Sequence, residues 1–141
     1  MPSLSFQSQF IELIQSGNKR QTIRPIRKNP IKAGDKLYLF TGLRTKKCMK
    51  LITPYDSQFE YTYNGKKVSF NLDYVICKSV ERIRIFESEM KFGKHLHLTI
   101  NGKRYMIDKI AINDGFSGMV DFIDFFKTKY GLPFEGVLIK W

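Results

Sequence analysis

Apolar and polar residues alternate along most of the chain, and the period changes from helical to extended several times. Residues 7–16 predict a short amphipathic helix that Gly17 ends. A second helix is predicted over about 117–130, and Gly131 ends it. Their expected apolar faces comprise Phe6, Phe10, Leu13 and Ile14 in the first helix, and Met119, Val120, Ile123, Phe126 and Tyr130 in the second.

Period-two alternation predicts strands over much of the remainder. Strands are expected at about 36–41 and 136–141, and residues 44–51 are expected to pair back onto the first of these. Within residues 75–86, Ile83 and Ile85 alternate with two arginines, which predicts a strand with one wet, basic face.

Two Asn-Gly pairs, at 64–65 and 101–102, each lie between extended arms. Both residues of this pair tolerate positive φ, so Asn-Gly is the strongest short signal for a β-hairpin. Many short strands with two short helices predict the α+β class, built as a small barrel or strongly curved sheet.

The length of 141 residues predicts one domain, 1–141. No apolar run approaches the roughly 18 residues of a membrane helix, and the N-terminal residues do not resemble a secretory signal. We therefore expect a cytoplasmic protein that acts as a monomer and binds no membrane. Cys48 and Cys77 belong to no CxxC pair, and each is predicted to be a small buried side chain rather than half of a disulfide.

The formal net charge is +11, and it is concentrated in one segment. Residues 17–50 contain eleven Lys or Arg and one acid, Asp35. Such a local excess favours an anionic partner, most often a phosphate backbone. A solvated basic surface that only keeps the protein soluble remains the alternative.

The stretch GNKRQTIRP, residues 17–25, crowds Lys19, Arg20 and Arg24 around Thr22. Pro25 disfavours helical geometry at the residue before it, so an extended segment is expected. In a strand, Thr22 and Arg24 share one face. The stretch fits either a docking surface for a polyanion or an active site that needs an uncharged lysine.

The active-site hypothesis has a chemical basis. A threonine hydroxyl is a poor nucleophile until a base removes its proton. A lysine can be that base only if its pKa falls from about 10.4 towards neutrality, and neighbouring cations favour this. Arg20, Arg24 and Arg44 would supply the cations. The plain alternatives are that Thr22 is a strand former and that Lys19 is a solvated cation beyond a helix end.

Three motifs together resemble the ASCH domain family of the PUA-like superfamily. The first is K-x-x-T-I-R from Lys19 after a helix that ends in glycine, and the second is GDKLYL at 34–39. The third is NDGFSGMVDFIDFF at 113–126, followed by a closing strand. The resemblance runs from about residue 4 to the end, with longer hairpins between 53 and 104 than compact members require. Residues 40–48 also resemble relatives carried by phages and mobile elements.

The resemblance implies a PUA-like β pseudo-barrel with two short helices, extended hairpin insertions and a basic cleft that binds RNA or nucleotides. One bacterial branch hydrolyses the acyl amide of acetylated cytidine with a lysine, a threonine and a glutamate. By motif, these roles fall on Lys19 as base, Thr22 as nucleophile and Asp114. Aspartate is one methylene shorter than glutamate, which reduces its reach by on the order of 1.5 Å. The match therefore implies a similar site more firmly than the same reaction.

The expected partner is RNA or a modified nucleoside. Asp114 is expected near a helix N-terminus, where a carboxylate is favoured, although Asp-Gly is also common turn chemistry. A non-catalytic RNA-binding module, a protein-interaction module and a ribonuclease remain alternatives. No cofactor or metal is expected, because His95 and His97 share a strand face without a third ligand. The predicted substrate-binding residues are Arg20, Arg24, Arg44, Lys46 and Lys47.

Overall fold

The structure is a computed structural model. It describes residues 2–51, 58–71 and 73–141, with the backbone alone described at 58–61 and 69–71. The chain divides into two compact units. The first comprises residues 1–20, 31–78 and 141, and the second comprises residues 21–30 and 79–140.

The described elements are, in chain order, β1 (Ser3–Phe6), a 3₁₀ turn (Ser8–Phe10), α1 (Ile11–Gln15), β2 (Gln21–Pro25), β3 (Lys36–Thr41), β4 (Met49–Lys50), β5 (Gln58–Tyr63), β6 (Lys66–Asn71), β7 (Val75–Ile76), β8 (Ser79–Met90), β9 (Gly93–Ile100), β10 (Lys103–Arg104), α2 (Ile107–Asn113), α3 (Met119–Lys129) and β11 (Phe134–Lys140). Most of the regular structure is strand, in several sheets, with three short α-helices. The α+β class is thereby confirmed at this level.

In the first unit, β3 is the central strand. It pairs in parallel with β1 and antiparallel with β4 and β7. The predicted return of residues 44–51 onto the strand at 36–41 is therefore confirmed at Met49–Lys50. Leu4, Leu37 and Leu39 are buried in this unit. β5 and β6 form a separate antiparallel hairpin.

In the second unit, five strands form an antiparallel sheet in the order β10-β9-β8-β11-β2. The helices α2 and α3 contribute to the buried cluster on one face, which includes Ile85, Leu138, Ala111 and Phe122. Ile83 and Ile85 are buried while Arg82 and Arg84 are exposed, so the predicted wet, basic face is confirmed.

Both Asn-Gly hairpins are confirmed. Asn64 and Asn101 each have φ of 51°, and the following glycines also have positive φ. The turns join β5 to β6 and β9 to β10. In the same way, Gly17, at φ 80°, ends the first helical segment in the left-handed region, where glycine carries no steric cost.

Several sequence predictions were wrong in detail. Phe6 lies in β1 rather than on the first helix, and α2 was not predicted, so the described chain has three α-helices rather than two. On α3, Phe122 is fully buried whereas Val120 is 69% exposed, because the apolar stripe is rotated from the predicted one. Cys77 is buried as predicted, but Cys48 is exposed. Within the described ranges, none of the helices has the length and apolar character of a membrane span.

At Gly136 of β11, the backbone of the neighbouring strand β2 approaches closely. A Cβ there would collide with the backbone oxygen of Arg24 and lie 2.7 Å from Cζ of Phe134. Substitution should therefore strain the pairing of β11 with the edge strand β2.

We predict that Gly136→Ala destabilises the protein by about 3 kcal/mol, a cost typical of overpacking, and lowers Tm by several degrees. Gly118→Ala is the control, because that residue has an extended φ of 175° and no heavy atom within 4 Å of the added Cβ. Its cost should be about 1 kcal/mol or less. Thermal unfolding followed by circular dichroism measures both, and equal Tm values for the two variants would contradict the prediction.

Candidate functional site

Among the described residues, the buried polar or charged side chains are Lys19, Gln21, Thr22 and Asp114, with exposed fractions of 1, 6, 4 and 4%. Three of these are the predicted catalytic residues. Buried polar groups are costly unless hydrogen bonds or charges compensate, and they concentrate at functional sites. In the second unit, the burial of Gln21, Thr22 and Asp114 marks the candidate site, and Lys19 is a buried cation of the first unit.

Thr22 and Arg24 lie on the same face of β2, as predicted. The Nε–H of Arg24 donates to Oγ1 of Thr22 at 3.1 Å. A guanidinium has donors but no acceptor, so this bond leaves the hydroxyl hydrogen of Thr22 for another acceptor. A charged donor also stabilises negative charge that develops on the oxygen when the proton leaves. The pair therefore suits a hydroxyl that must lose its proton.

Arg24 is half-buried, and its charge interacts with its neighbours in the second unit. Burial lowers the pKa of Arg24, while Tyr130 and Asp114 raise it and Arg27 lowers it further. The carboxylate of Asp114 therefore acts electrostatically on the guanidinium that holds Thr22. Thr22 and Arg24, which are hydrogen-bonded, and Asp114, whose charge acts on Arg24, are called the polar cluster of this unit.

Asp114 does not lie at a helix N-terminus, so that prediction was wrong. It caps the C-terminal end of α2, and its backbone N–H donates to the carbonyl oxygen of Ile110 at 2.9 Å. The next helix, α3, begins only at Met119. The negative end of a helix dipole disfavours a carboxylate. The positive charge of Arg24 offsets this disadvantage.

Gln21 was not predicted to take part in the site. Its side-chain Nε2 donates a long hydrogen bond, 3.5 Å, to the carbonyl oxygen of Ile110. The same oxygen accepts the backbone N–H of Asp114. Gln21 thus links β2 to the last turn of α2, which Asp114 follows. The sequence signal for Gln21 was the alternation of side chains along the strand, which puts Gln21 and Thr22 on opposite faces of β2.

Lys19 lies in the N-terminal segment of the first unit, and that segment ends at residue 20. Its Nζ lies 4.8 Å from the centre of the Phe10 ring and 5.9 Å from that of Phe6. Aromatic faces favour the ammonium form, whereas burial disfavours it. These two effects oppose each other. Arg20 and Arg44, the predicted neighbouring cations of this unit, have exposed side chains.

The remaining predicted binding residues lie on an exposed loop of the first unit. Arg44, Lys46 and Lys47 are exposed between β3 and β4. Beside this loop, Nζ of Lys50 lies 5.4 Å from the ring centre of Tyr38 and 5.7 Å from that of Phe40. This ammonium lies in β4 and also pairs with Asp73 at 2.9 Å, so it is the strand beside the loop that brings a cation to the rings.

No family model, curated protein or solved structure matches this chain. The resemblance described above therefore rests on the motifs alone. In the part of the chain that the structure describes, no group of three His, Cys, Asp or Glu side chains could hold a metal ion. Thr22, Arg24 and Asp114 lie in the second unit, whereas Lys19 lies in the first.

We predict that Arg24 and Asp114 are energetically coupled by about 1 kcal/mol or more in a double-mutant cycle of Arg24→Gln and Asp114→Asn. Loss of the bond from Arg24 to Thr22 does not contribute to the coupling energy, because the single variant Arg24→Gln and the double variant both lack that bond. The free energies come from urea unfolding. The matched control is the cycle of Arg82→Gln with Asp114→Asn, because Arg82 is an exposed arginine on the same face of the sheet as Arg24. A coupling no larger than this control would contradict the electrostatic link.

Proposed function

We propose that this protein is an ASCH-type, PUA-like domain that binds RNA or a modified nucleoside and hydrolyses the acyl amide of acylated cytidine. The observation that carries the proposal is the burial of Lys19, Thr22 and Asp114. The three motif residues are thus buried polar side chains, a class that is rare unless it has a structural or functional role.

Binding is supported by charge. The net charge of +11 is concentrated in residues 17–50, and the exposed loop with Arg44, Lys46 and Lys47 carries part of it. RNA phosphates are the natural partner for such a loop, with Tyr38 and Phe40 beside it as candidate stacking surfaces. A PUA-like pseudo-barrel is compatible with the several sheets and short helices, and it remains part of the proposal.

In the proposed reaction, Oγ1 of Thr22 attacks the carbonyl carbon of the acyl group and its proton passes to Lys19, which must be neutral at that moment. The carbon–nitrogen bond then breaks, and the exocyclic amine leaves after accepting a proton. Water hydrolyses the resulting threonine ester to a carboxylic acid and regenerates the hydroxyl. The Nε–H of Arg24 supports the oxygen of Thr22.

The roles of Lys19 and Asp114 follow from the motif. The role of Lys19 rests on the motif and on its burial. Asp114 either orients the lysine or protonates the leaving amine, and its charge acts on Arg24. As an aspartate, it has a shorter reach than the glutamate that the resemblance implies.

A non-catalytic RNA-binding module is the second candidate function. The aromatic rings beside Nζ of Lys19 favour it, because they stabilise an ammonium that cannot act as a base. In this case the exposed Arg20 and the half-buried Arg24 would bind phosphates, while Lys19 stays a buried cation. A protein-interaction module for an acidic partner would use the same exposed cations, whereas nothing marks the general acid of a ribonuclease.

We predict that Thr22→Val abolishes release of acetate from N4-acetylcytidine, with a loss on the order of 10³-fold or more. Valine keeps the β-branched shape for β2 but removes the hydroxyl. Thr22→Ser, which keeps the hydroxyl, should retain part of the activity. Lys19→Ala should also be inactive, with circular dichroism verifying its fold. Turnover by Thr22→Val at the wild-type rate would disprove the nucleophile, and a well-folded wild type without turnover would favour the binding module.

We predict that RNA affinity falls steeply with salt, with a slope of about −0.7 per phosphate contact in a plot of log K against log salt. Lys46→Gln with Lys47→Gln should make the slope shallower by about 1.4. The matched control is Lys66→Gln with Lys67→Gln, a second pair of exposed lysines in the same unit. A flat salt response, or no RNA binding at low salt, would contradict the binding function. Capture of one acidic protein that survives nuclease treatment would favour the interaction module.

A further inference from the structure

The long strand β8 separates its charges by face. Its glutamates, Glu81, Glu87 and Glu89, stand at odd positions with buried Ile83 and Ile85, while its arginines stand at even positions. Successive side chains of a strand point to opposite faces. All the acids of this strand therefore lie on the face that carries the core, and both arginines lie on the other.

Lysines neutralise the acids of the core-side face. Nζ of Lys127 lies 2.7 Å from a carboxylate oxygen of Glu87, and Nζ of Lys140 lies 3.5 Å from one of Glu81. Glu89 stands directly opposite Lys94 in the β8–β9 register. Two of the three acids are thus paired on this side, and the third stands opposite a lysine in the register.

The opposite face is strongly basic. The register places Arg84 beside Thr99, and Thr99 beside Arg104. It also places Arg82 and Arg24 on either side of Val137. The described strand residues of this face include one acid, Glu135, which is exposed and lies 3.5 Å from Arg84. We call the outer part of this surface the arginine face, which comprises Arg82, Arg84, Phe86, His97, Thr99 and Arg104.

Flat side chains form the centre of the arginine face. The guanidinium carbon of Arg84 lies 4.4 Å from the ring centre of Phe86, and the ring of His97 stacks on Phe86 at 5.1 Å with an interplanar angle of 29°. A hydrogen bond of 2.6 Å between Oγ of Ser88 and Nε2 of His97 fixes the imidazole. The array therefore presents ordered planar groups next to cations.

A cleft of about 450 Å³ opens on this face. Its lining includes Arg82, Arg84, Phe86 and Thr99, and also the carboxylate of Glu135, against two arginines. This volume lies in the range of sites that hold small organic ligands. The cleft could therefore hold one unpaired nucleotide, with its phosphate against an arginine.

We propose that the arginine face binds a segment of single-stranded RNA, with Arg82, Arg84 and Arg104 on phosphates and with unpaired bases stacked on the array of Arg84, Phe86 and His97. This inference rests on the proposed function, because it assumes that the partner is RNA. Cations select a polyanion, while planar side chains select bases that are not paired within a duplex. The surface is distinct from the loop of Arg44, Lys46 and Lys47 and lies within the second unit alone.

The test measures affinity by fluorescence anisotropy with a labelled single-stranded RNA of about twelve nucleotides and with the same strand annealed to its complement. The variants are Arg84→Gln, which removes a phosphate contact, and Phe86→Leu, which removes a ring but keeps an apolar side chain. The control is Lys109→Gln, which removes one exposed charge from α2, a helix whose buried residues join the core on the other face. Circular dichroism verifies the fold of each variant.

We expect the wild type to prefer the single strand over the duplex. Arg84→Gln should weaken single-strand binding about 5- to 10-fold and make the salt slope shallower by about 0.7. Phe86→Leu should weaken it about 5- to 100-fold without changing the salt slope, because stacking releases no counterions. Lys109→Gln should bind within about twofold of the wild type.

The outcomes separate this inference from the proposed function. A wild type that binds no RNA would overturn both. A wild type that binds RNA, with Arg84→Gln and Phe86→Leu no weaker than Lys109→Gln, would overturn only the arginine face and leave the loop as the binding surface. Equal affinity for single strand and duplex would also overturn the stacking role of Phe86.

Discussion

The antiparallel register of β8, β11 and β2 is the constraint on which the second unit depends. Val137 opposes Arg82 on one side and Arg24 on the other, while Leu138 opposes Glu81 and Ile23. Side chains alternate with a period of two, so a slip of one residue would exchange the two faces of a strand. Such a slip in β8 would bring its arginines into the core. Burial of the apolar face therefore fixes the position of each polar residue on the sheet.

Because the register is fixed, the edge strand β2 can hold polar groups on both of its faces. Thr22 and Arg24 form a hydrogen-bonded pair on one face, and Gln21 reaches the last turn of α2 on the other. That turn carries Asp114 at an unfavourable end of a helix dipole. The charge of Arg24 offsets this disadvantage, so the polar cluster depends on the sheet and on the short helix together. If the edge strand β2 carried only apolar residues, the charge of Arg24 would not act on Asp114.

The features that sequence analysis predicted correctly are those set by the conformational preferences of a few neighbouring residues. The turns at Asn101 and Gly102, and the extended segment before Pro25, follow from backbone preferences of the residues themselves. Helix α2 was missed because Ile107, Ile110 and Ala111 form one short stripe, and Met106 supplies no side-chain cap. The misplacement of Asp114 followed from that omission. The burial of Lys19 could not be predicted either, since it depends on rings from β1 and the 3₁₀ turn, and a lysine after a helix-ending glycine is usually solvated.

The two proposed activities, RNA binding and acyl-amide hydrolysis, differ in how far their residues are exposed to solvent. Arg82, Arg84 and Arg104 are exposed, so a strand of RNA could reach them without any rearrangement. The side chain of Thr22 is 4% exposed, so its hydroxyl can attack a substrate only after a local rearrangement uncovers it. Arg24 and Arg82 flank Val137 from strands two apart in the sheet, a spacing of about 10 Å. The proposed RNA surface and the pair of Thr22 and Arg24 therefore belong to the same face of one sheet, and the register that exposes the first also fixes the place of the second.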